Sequence, residues 1–522
     1  MADGGMNTAD GPDAPPESAD GEPRRWLKLI DQTRCIGCHA CTTACKSENE
    51  VPLSVTRTYV KNVDVGAFPQ ARRAFQVTRC NQCADAPCVA ACPTSAMFTR
   101  PDGIVDFDKD ACIGCKACMA ACPYDAIFIN PEDHSAEKCN LCSHRIDAGL
   151  EPACVTVCPT QAILVGRFGD SESEAARIVD REPVAVRRPE KGTRPKLFYK
   201  GATQATLDPL AARRPDGGTF AWSEIQDGPG QVAAGHPGGG NSSAAALLSY
   251  DIGHRMPWDW RVSLYTWTKG VAAGAYLVAT LLAATGFLPW DGPLTVWAAP
   301  LVAAAFLALT AALLIWDLEH PGRFLYILTR PQWRSWLVRG GVILTGYAAV
   351  LGLQLPVGIL GGDVMRQALA VPGVPLAVLT AVYTAYLFAQ AKARDMWQNP
   401  LLPAHLLVQA GLAGAAALLP IAAWAQPGAA APLGRVLAVT AGAHALMALG
   451  EVTLAHPTEH ARLAVRAMTR GRYAPLFWIG LLLTTAGLAA PAVGAWAAPL
   501  ALAGLAAHEH AYVQAGQSVP LA

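Results

Sequence analysis

The 522-residue chain has no excess charge of either sign. Its 41 basic and 41 acidic residues cancel, so it lacks the electrostatic footprint of a nucleic-acid partner. No cysteine follows Cys158, which confines the work of all sixteen thiols to the stretch from Cys35 onward. No basic residue precedes Arg24. Residues 1–23, rich in Asp, Glu, Gly and Pro, therefore lack the charged start and apolar core of a secretory signal. They also cannot bury enough apolar surface to order themselves. Arg24 and Arg25 form a twin-arginine pair, but no apolar stretch of signal-core length follows, so the pair reads as the approach to a first strand. No long apolar run occurs before about residue 260, and little else occurs after it.

These contrasts divide the chain into a disordered tail (1–23), a compact cysteine domain (24–165), a Pro-, Gly- and Arg-rich wrapping arm and linker with little helix (166–260), and a membrane domain (261–515). The last holds eight apolar runs of spanning length or close to it, near 263–287, 294–316, 336–359, 373–391, 400–425, 434–455, 474–491 and 495–512. With eight spans both ends lie on one side. That side carries Arg255, Arg261, Lys269, Arg323, Arg330, Arg334, Arg339, Lys392, Arg394, Arg462, Arg466, Arg470 and Arg472, against Arg366 and Arg435 on the other. The excess of positive charge predicts a cytoplasmic cysteine domain on an inner (cytoplasmic) membrane. There thiols stay reduced, and the lack of a visible signal agrees.

The cysteines fall into four groups of four: Cys35, Cys38, Cys41, Cys45; Cys80, Cys83, Cys88, Cys92; Cys112, Cys115, Cys118, Cys122; and Cys139, Cys142, Cys154, Cys158. A cubane iron–sulfur cluster needs four thiolates in tetrahedral directions. Three closely spaced cysteines wrap three corners of one cube, and the fourth, opening a helix that points away, reaches the neighbouring cube. Gly37 and Gly114 permit the tight turns whose amides face the sulfurs. Pro93, Pro123 and Pro159 turn the chain after the last ligand. Zinc rarely uses three cysteines within seven residues plus a fourth soon after, and disulfides suit neither this spacing nor a reducing compartment. The expectation is four [4Fe–4S] clusters, with no group reduced to a three-iron site.

Several runs carry a resemblance: Cys35-Ile36-Gly37-Cys38-His39-Ala40-Cys41, Cys80-Asn81-Gln82-Cys83, Cys112-Ile113-Gly114-Cys115-Lys116-Ala117-Cys118 and Lys138-Cys139-Asn140-Leu141-Cys142. Over about residues 27–165 the chain resembles the four-cluster iron–sulfur subunits of the dimethyl sulfoxide and polysulfide reductase families. The resemblance implies that groups exchange their last cysteines. The cubes would then be Cys35, Cys38, Cys41 with Cys158; Cys139, Cys142, Cys154 with Cys45; Cys80, Cys83, Cys88 with Cys122; and Cys112, Cys115, Cys118 with Cys92. It also implies that the second pair of clusters lies nearer the membrane. Over about 255–490 the chain resembles NrfD/PsrC-type membrane anchors of polysulfide reductase, through Asp317-Leu318-Glu319-His320-Pro321-Gly322-Arg323-Phe324, Tyr383 through Trp397-Gln398-Asn399-Pro400-Leu401-Leu402-Pro403, and Gly471-Arg472-Tyr473-Ala474-Pro475-Leu476-Phe477-Trp478. The implied fold is an N-terminal α+β double ferredoxin-like iron–sulfur domain followed by an all-α polytopic domain of about eight transmembrane helices.

What this implies is quinone chemistry, with menaquinone or ubiquinone as the lipid-soluble carrier. The site needs polar donors in an apolar slot, and polar groups at membrane depth are costly enough to be informative. By the resemblance Tyr265 and Tyr383 contact quinone. Lys269 is the third candidate, with snorkelling to the interface as the alternative. Tyr386 lies on the same side. Asp317, Glu319, His444 and Glu451 are candidates for proton transfer, with His320 beside the first two at the close of the second span, although Asp317 and Arg323 read more readily as an ion pair shaping a loop. His444 has no obvious partner, and His405, His456 and His460 lie near one surface, so haem b is not expected. No region remains for a pterin site. The resemblance thus implies a separate molybdenum or tungsten bis-pterin catalytic subunit on the cysteine domain, with the chain passing electrons between it and the quinone pool in a sulfite-, formate- or polysulfide-type respiratory enzyme. Redox-driven proton translocation by the same complex is the alternative. The sequence does not give the direction of flow.

Overall fold

The structure is a computed structural model that describes residues 25–66, 68–213 and 246–521. The expectations for the tail 1–23 and for residues 214–245 of the arm and linker lie outside these residues.

In the cysteine half, strand β1 (Trp26–Asp31) alternates its side chains between two faces. Leu27 and Leu29 pack under the helix Glu174–Arg181, against Ala175, Ala176 and Ile178. Lys28 and Ile30 face the cysteines. Strand β4 (Ile163–Arg167) runs antiparallel to β1, and β5 (Leu197–Lys200) runs parallel to it, with Lys28 opposite Leu197. The segment expected to be an arm with little helix is therefore built into the sheet. It also contributes a helix of 8 residues capped by Ser173, whose hydroxyl accepts from the Ala176 amide at 3.3 Å. A hairpin of β2 (Thr58–Val65) and β3 (Arg72–Arg79) gains a third strand, β6 (Leu247–Tyr250), just before the membrane half begins.

The membrane half contains seven helical segments long and apolar enough to cross a bilayer. We label its helices α1 (Trp260–Ala284), α2 (Leu294–Trp316), α3 (Trp336–Leu360), α4 (Asp363–Gln390), α5 (Leu402–Ala425), α6 (Ala430–Thr453), α7 (Ala474–Thr485) and α8 (Ala497–Gln517). The last segment, 44 residues from Ala474 to Gln517, doubles back near Gly494, where φ is +64°. A Cβ added at Gly480 would come within 2.9 Å of the Gly504 carbonyl, so α7 and α8 are packed arms of one hairpin. The last two expected runs, 474–491 and 495–512, are thus the two arms of the seventh segment. Helix α4 starts ten residues earlier than expected. Pro372, just outside the expected run, sits inside the helix together with Pro375, because neighbouring helices absorb the lost backbone bonds. Arg366, expected in a loop, is in its first turns and pairs with Asp363 at 2.6 Å. Helices α1 and α5 cross in near contact at Gly274 and Gly414, where a Cβ on Gly274 would lie 1.7 Å from the Ala410 carbonyl.

The loop after α2 joins the two halves. Glu319 and His320 donate their amides to the carbonyls of Gly114 and Ile113 at 3.4 and 3.2 Å. Gly114 is at φ +68°, and a Cβ there would lie 2.4 Å from that of Glu319, so only glycine permits both the turn and the contact. The loop before α3 does the same one motif earlier: Gln332 donates to Pro93 O at 2.9 Å and Ser335 Oγ to Ala91 O at 2.8 Å.

Candidate functional site: thiolate cradles above an apolar pocket

The two Cys-Ile-Gly-Cys-x-Ala-Cys runs fold alike. Gly37 and Gly114 have φ of +69° and +68°, and His39 and Lys116 both have φ of +60° before the helix that carries the third cysteine. This turn folds the motif around a common centre. The thiols gather across motifs. Cys35 has Cys38, Cys41 and Cys158 as its neighbouring thiols, and Asn49 Nδ2 lies 3.7 Å from the sulfurs of both Cys45 and Cys142. Cys83 and Cys88 neighbour Cys80 and Cys122. One cavity is ringed by Cys92, Cys112, Cys115 and Cys118. Each grouping mixes two motifs in the pattern of exchanged quartets.

The cradles fit an iron–sulfur cubane better than zinc. A tetrahedral zinc thiolate draws its sulfurs to about 3.8 Å. Among the described residues, only three histidines bring three ligand atoms within 4.8 Å of one another; the cysteine quartets are wider. Every cysteine is a free thiol. Burial pushes the Cys45, Cys83 and Cys122 thiols up to about 12, so they hold their protons until a metal displaces them. Cys154 differs. Burial alone would raise it, but Lys28 and Arg79, 3.4 and 3.0 Å from its sulfur, overcome that and bring it down to about 7. Amides of Gln82, Met97, Gly114 and Ala162 also donate to cysteine sulfurs at 3.3–3.5 Å.

Directly beneath the third motif is an apolar pocket of about 110 Å³. Cys115 and Ala117 form its cluster-side wall. Tyr265 of α1, Tyr383 of α4, Leu314 of α2 and Gly341 of α3 form its membrane walls, and Asp317 sits at the edge. Tyr265 is buried, and its hydroxyl makes no hydrogen bond within the chain, although Thr384, already bonded to Lys269, lies nearby. Gly340 makes room for Tyr383: a Cβ there would meet its ring at 2.5 Å. Trp258 roofs the pocket, donating its indole N–H to Cys115 O at 3.2 Å and stacking on Trp397.

Of the expected quinone residues the structure thus brings Tyr265 and Tyr383 together and leaves Lys269 outside the pocket lining. Lys269 does not snorkel. It is fully buried, donates to Ala381 O at 2.8 Å and Thr384 Oγ1 at 2.7 Å, and stands 4.9 Å from the centre of the Tyr383 ring. Tyr386 points outward and stacks on Trp336. Asp317 does not pair with Arg323, whose guanidinium donates instead to the carbonyls of Lys109 and Cys112. Asp317 faces Lys116 at 3.3 Å and Arg261 at 3.9 Å, yet burial and then Asp259 outweigh these cations and raise its carboxyl to about 6. Glu319 also pairs with Lys116, at 3.1 Å.

His444 does have a partner: His405 Nε2 lies 2.9 Å from His444 Nδ1, and His508 closes the group. Glu451 accepts from Asn399 Nδ2 at 3.0 Å and lies 4.0 Å from His405. Sequence reasoning missed His508 and Glu509. The signal was the polar run His508-Glu509-His510 inside an apolar stretch.

Residues 27–93 and 72–168 match two models of the 4Fe-4S dicluster domain, and residues 250–503 match the model of polysulphide reductase, NrfD. The B component of the tetrathionate reductase of Salmonella typhimurium is 42% identical over 207 residues, which are 38% of this chain and 81% of that protein. The B component of the polysulfide reductase of Wolinella succinogenes is 43% identical over 178 residues, 34% of this chain and 93% of that protein. The thiosulfate reductase electron transfer subunit PhsB of Salmonella typhi is 47% identical over 154 residues, 28% and 79%. The protein crosses the membrane several times, and it belongs to the 4Fe-4S iron–sulfur subunits of the polysulfide, tetrathionate and dimethyl sulfoxide reductase type, carrying an NrfD-type membrane region in the same polypeptide.

Proposed function

We propose that the chain passes electrons between a molybdenum or tungsten bis-pterin catalytic subunit, docked on the cysteine half, and a quinone held in the pocket between Cys115 and Tyr265. The observation that carries this reading is the shared wall: the loop of one thiolate quartet is also the lining of an apolar slot among α1, α2, α3 and α4. Four [4Fe–4S] clusters, held by the sixteen cysteines in the exchanged quartets, supply one-electron transfer when bound. The chain's own residues do the rest. Tyr265 offers an unpaired hydroxyl to a quinone carbonyl. Tyr383 forms the opposing wall, and Lys269 fixes that ring from behind. Trp258 and the Gly114–Glu319 contact exclude water between cradle and pocket.

Two-electron quinone chemistry also moves two protons. Asp317, raised to about 6, exchanges protons near neutral pH at the pocket's edge, and Lys116, between Cys115 and Cys118, holds it there through its Nζ. Glu319 continues the acidic group toward the aqueous face. The side carrying most Arg and Lys is taken as cytoplasmic, which places the clusters inside the cell at the inner membrane. The relatives' names support sulfur-compound chemistry in the partner, with sulfite and formate oxidation as the other classes that suit a cytoplasmic site. The alternative, proton translocation by the same complex, draws on buried polar groups beyond the pocket, where Glu509 is the charge that Lys269 faces.

The test is direct. Anaerobically purified, oxidised protein is mixed with menaquinol and with ubiquinol, and cluster reduction is followed by EPR. Reduction by at least one quinol is expected. Protein with full iron and sulfide content that neither quinol reduces refutes the proposal.

A further inference from the structure

Among the described residues, the densest unassigned cluster of ligating side chains is the histidine triad. His405 lies in the first turn of α5, His444 in the second half of α6 and His508 in the middle of α8. One nitrogen of each lies within 4.8 Å of the others, and the ring centres are 4.6–5.8 Å apart. All three are buried. Only one contact among them is a hydrogen bond, His405 Nε2 to His444 Nδ1. His444 Nε2 and His508 Nδ1 have no partner, and His508 packs against Phe477 and Tyr512. A neutral imidazole carries one donor and one lone pair, and burying either unmet is unfavourable. Three such rings from three helices converging on one point are what a cation answers.

We propose that His405, His444 and His508 bind one zinc ion that ties α5, α6 and α8 together. Three imidazoles with one remaining position are a common zinc donor set, and imidazole ligation suits zinc along with the other late first-row cations and not magnesium or calcium. Tetrahedral ligation sets nitrogens about 3.3 Å apart, so the rings close by small side-chain rotations. Glu451 backs the site: one oxygen is held by Asn399, while the other makes no hydrogen bond and faces His405 Nδ1 at 4.0 Å. A ligating histidine that directs its second N–H at a carboxylate is the usual outer shell of such a centre, and the carboxylate offsets part of the charge. An imidazole bound to zinc through its lone pair relays no proton, so His444 belongs to this centre and not to a proton path. The inference is independent of the quinone reading.

The complete, chelator-washed complex tests it by zinc content and by the zinc K-edge spectrum, which is blind to iron. One zinc per chain is expected, with three nitrogens at about 2.0–2.1 Å. In His444→Leu and in His508→Leu, zinc should fall at least tenfold while iron and acid-labile sulfide stay unchanged. Glu451→Gln should weaken zinc retention roughly tenfold without abolishing it. Absence of zinc, or zinc with a sulfur shell, overturns the proposal. If the leucine variants fail to assemble, the wild-type spectrum alone decides.

Discussion

His254 lies where the chain leaves strand β6 for the membrane, and its ring is clamped between two carboxylates. Asp125 Oδ2 lies 2.5 Å from Nδ1 and Asp251 Oδ1 lies 3.2 Å from Nε2. Asp125 follows the third cysteine group and Asp251 follows β6 directly, so the clamp fastens the cluster half to the start of the membrane half. Lys61 stands 3.7 Å from Asp251, and the Tyr59 ring packs edge-on against the imidazole. Burial alone would lower the His254 pKa from 6.5; Asp251 and then Asp125 outweigh it and raise it to about 9. The folded state therefore binds the proton more tightly than the unfolded one. The resulting stabilisation is full below pH 6.5 and is lost as pH rises through about 9. At 1.36 kcal/mol per unit, about 3 kcal/mol is present at low pH, and between pH 7 and pH 10 about 2.5 kcal/mol disappears. That corresponds to a rise of nearly two orders of magnitude in local opening. Hydrogen exchange of the 246–258 peptide, corrected for intrinsic base catalysis, measures it. In the His254→Gln variant, protection should already be low at pH 7 and change little up to pH 10. Wild-type protection that stays flat over this range would refute the electrostatic clamp.

Other substitutions address the two halves separately. Arg79→Met removes a buried cation 3.0 Å from Cys154 Sγ and should lower the potential of the nearby cluster by on the order of 100 mV, read by EPR-monitored redox titration. An unchanged potential would mean that Arg79 is structural only. Tyr265→Phe deletes the unpaired hydroxyl in the pocket and should raise the quinol KM about fivefold, the worth of one hydrogen bond, with iron content intact. Gly340→Ala places a methyl group against the Tyr383 ring. It should impair quinol-driven cluster reduction more than Tyr265→Phe does, while dithionite reduces the clusters as in wild type; equal quinol rates would show that Tyr383 moves freely.

The parts legible in the sequence were those whose physics is local. Cys35, Cys38 and Cys41 must share one centre because a chain turning at Gly37 has nowhere else to put them, and the spacing repeats at Cys112, Cys115 and Cys118. Apolar runs mark helices for the same reason, and they failed where local rules compete with packing. Pro372 read as lying just before α4 but sits inside it together with Pro375, because adjacent helices, not the chain itself, decide whether a missing N–H is tolerated. The polar residues of the membrane half were harder still. Lys269 was visible as a costly charge, but its acceptors, Ala381 O and Thr384 Oγ1, lie more than a hundred positions away. His405 looked like a surface residue and His444 like a solitary one, because the approach of α5 to α6 that brings them to 2.9 Å is a matter of helix packing and leaves no local signal. Side-chain type shows that a buried polar group must be satisfied. Which partner satisfies it is decided by the rotation of whole helices, and that information is spread over small residues whose only role is to let backbones approach.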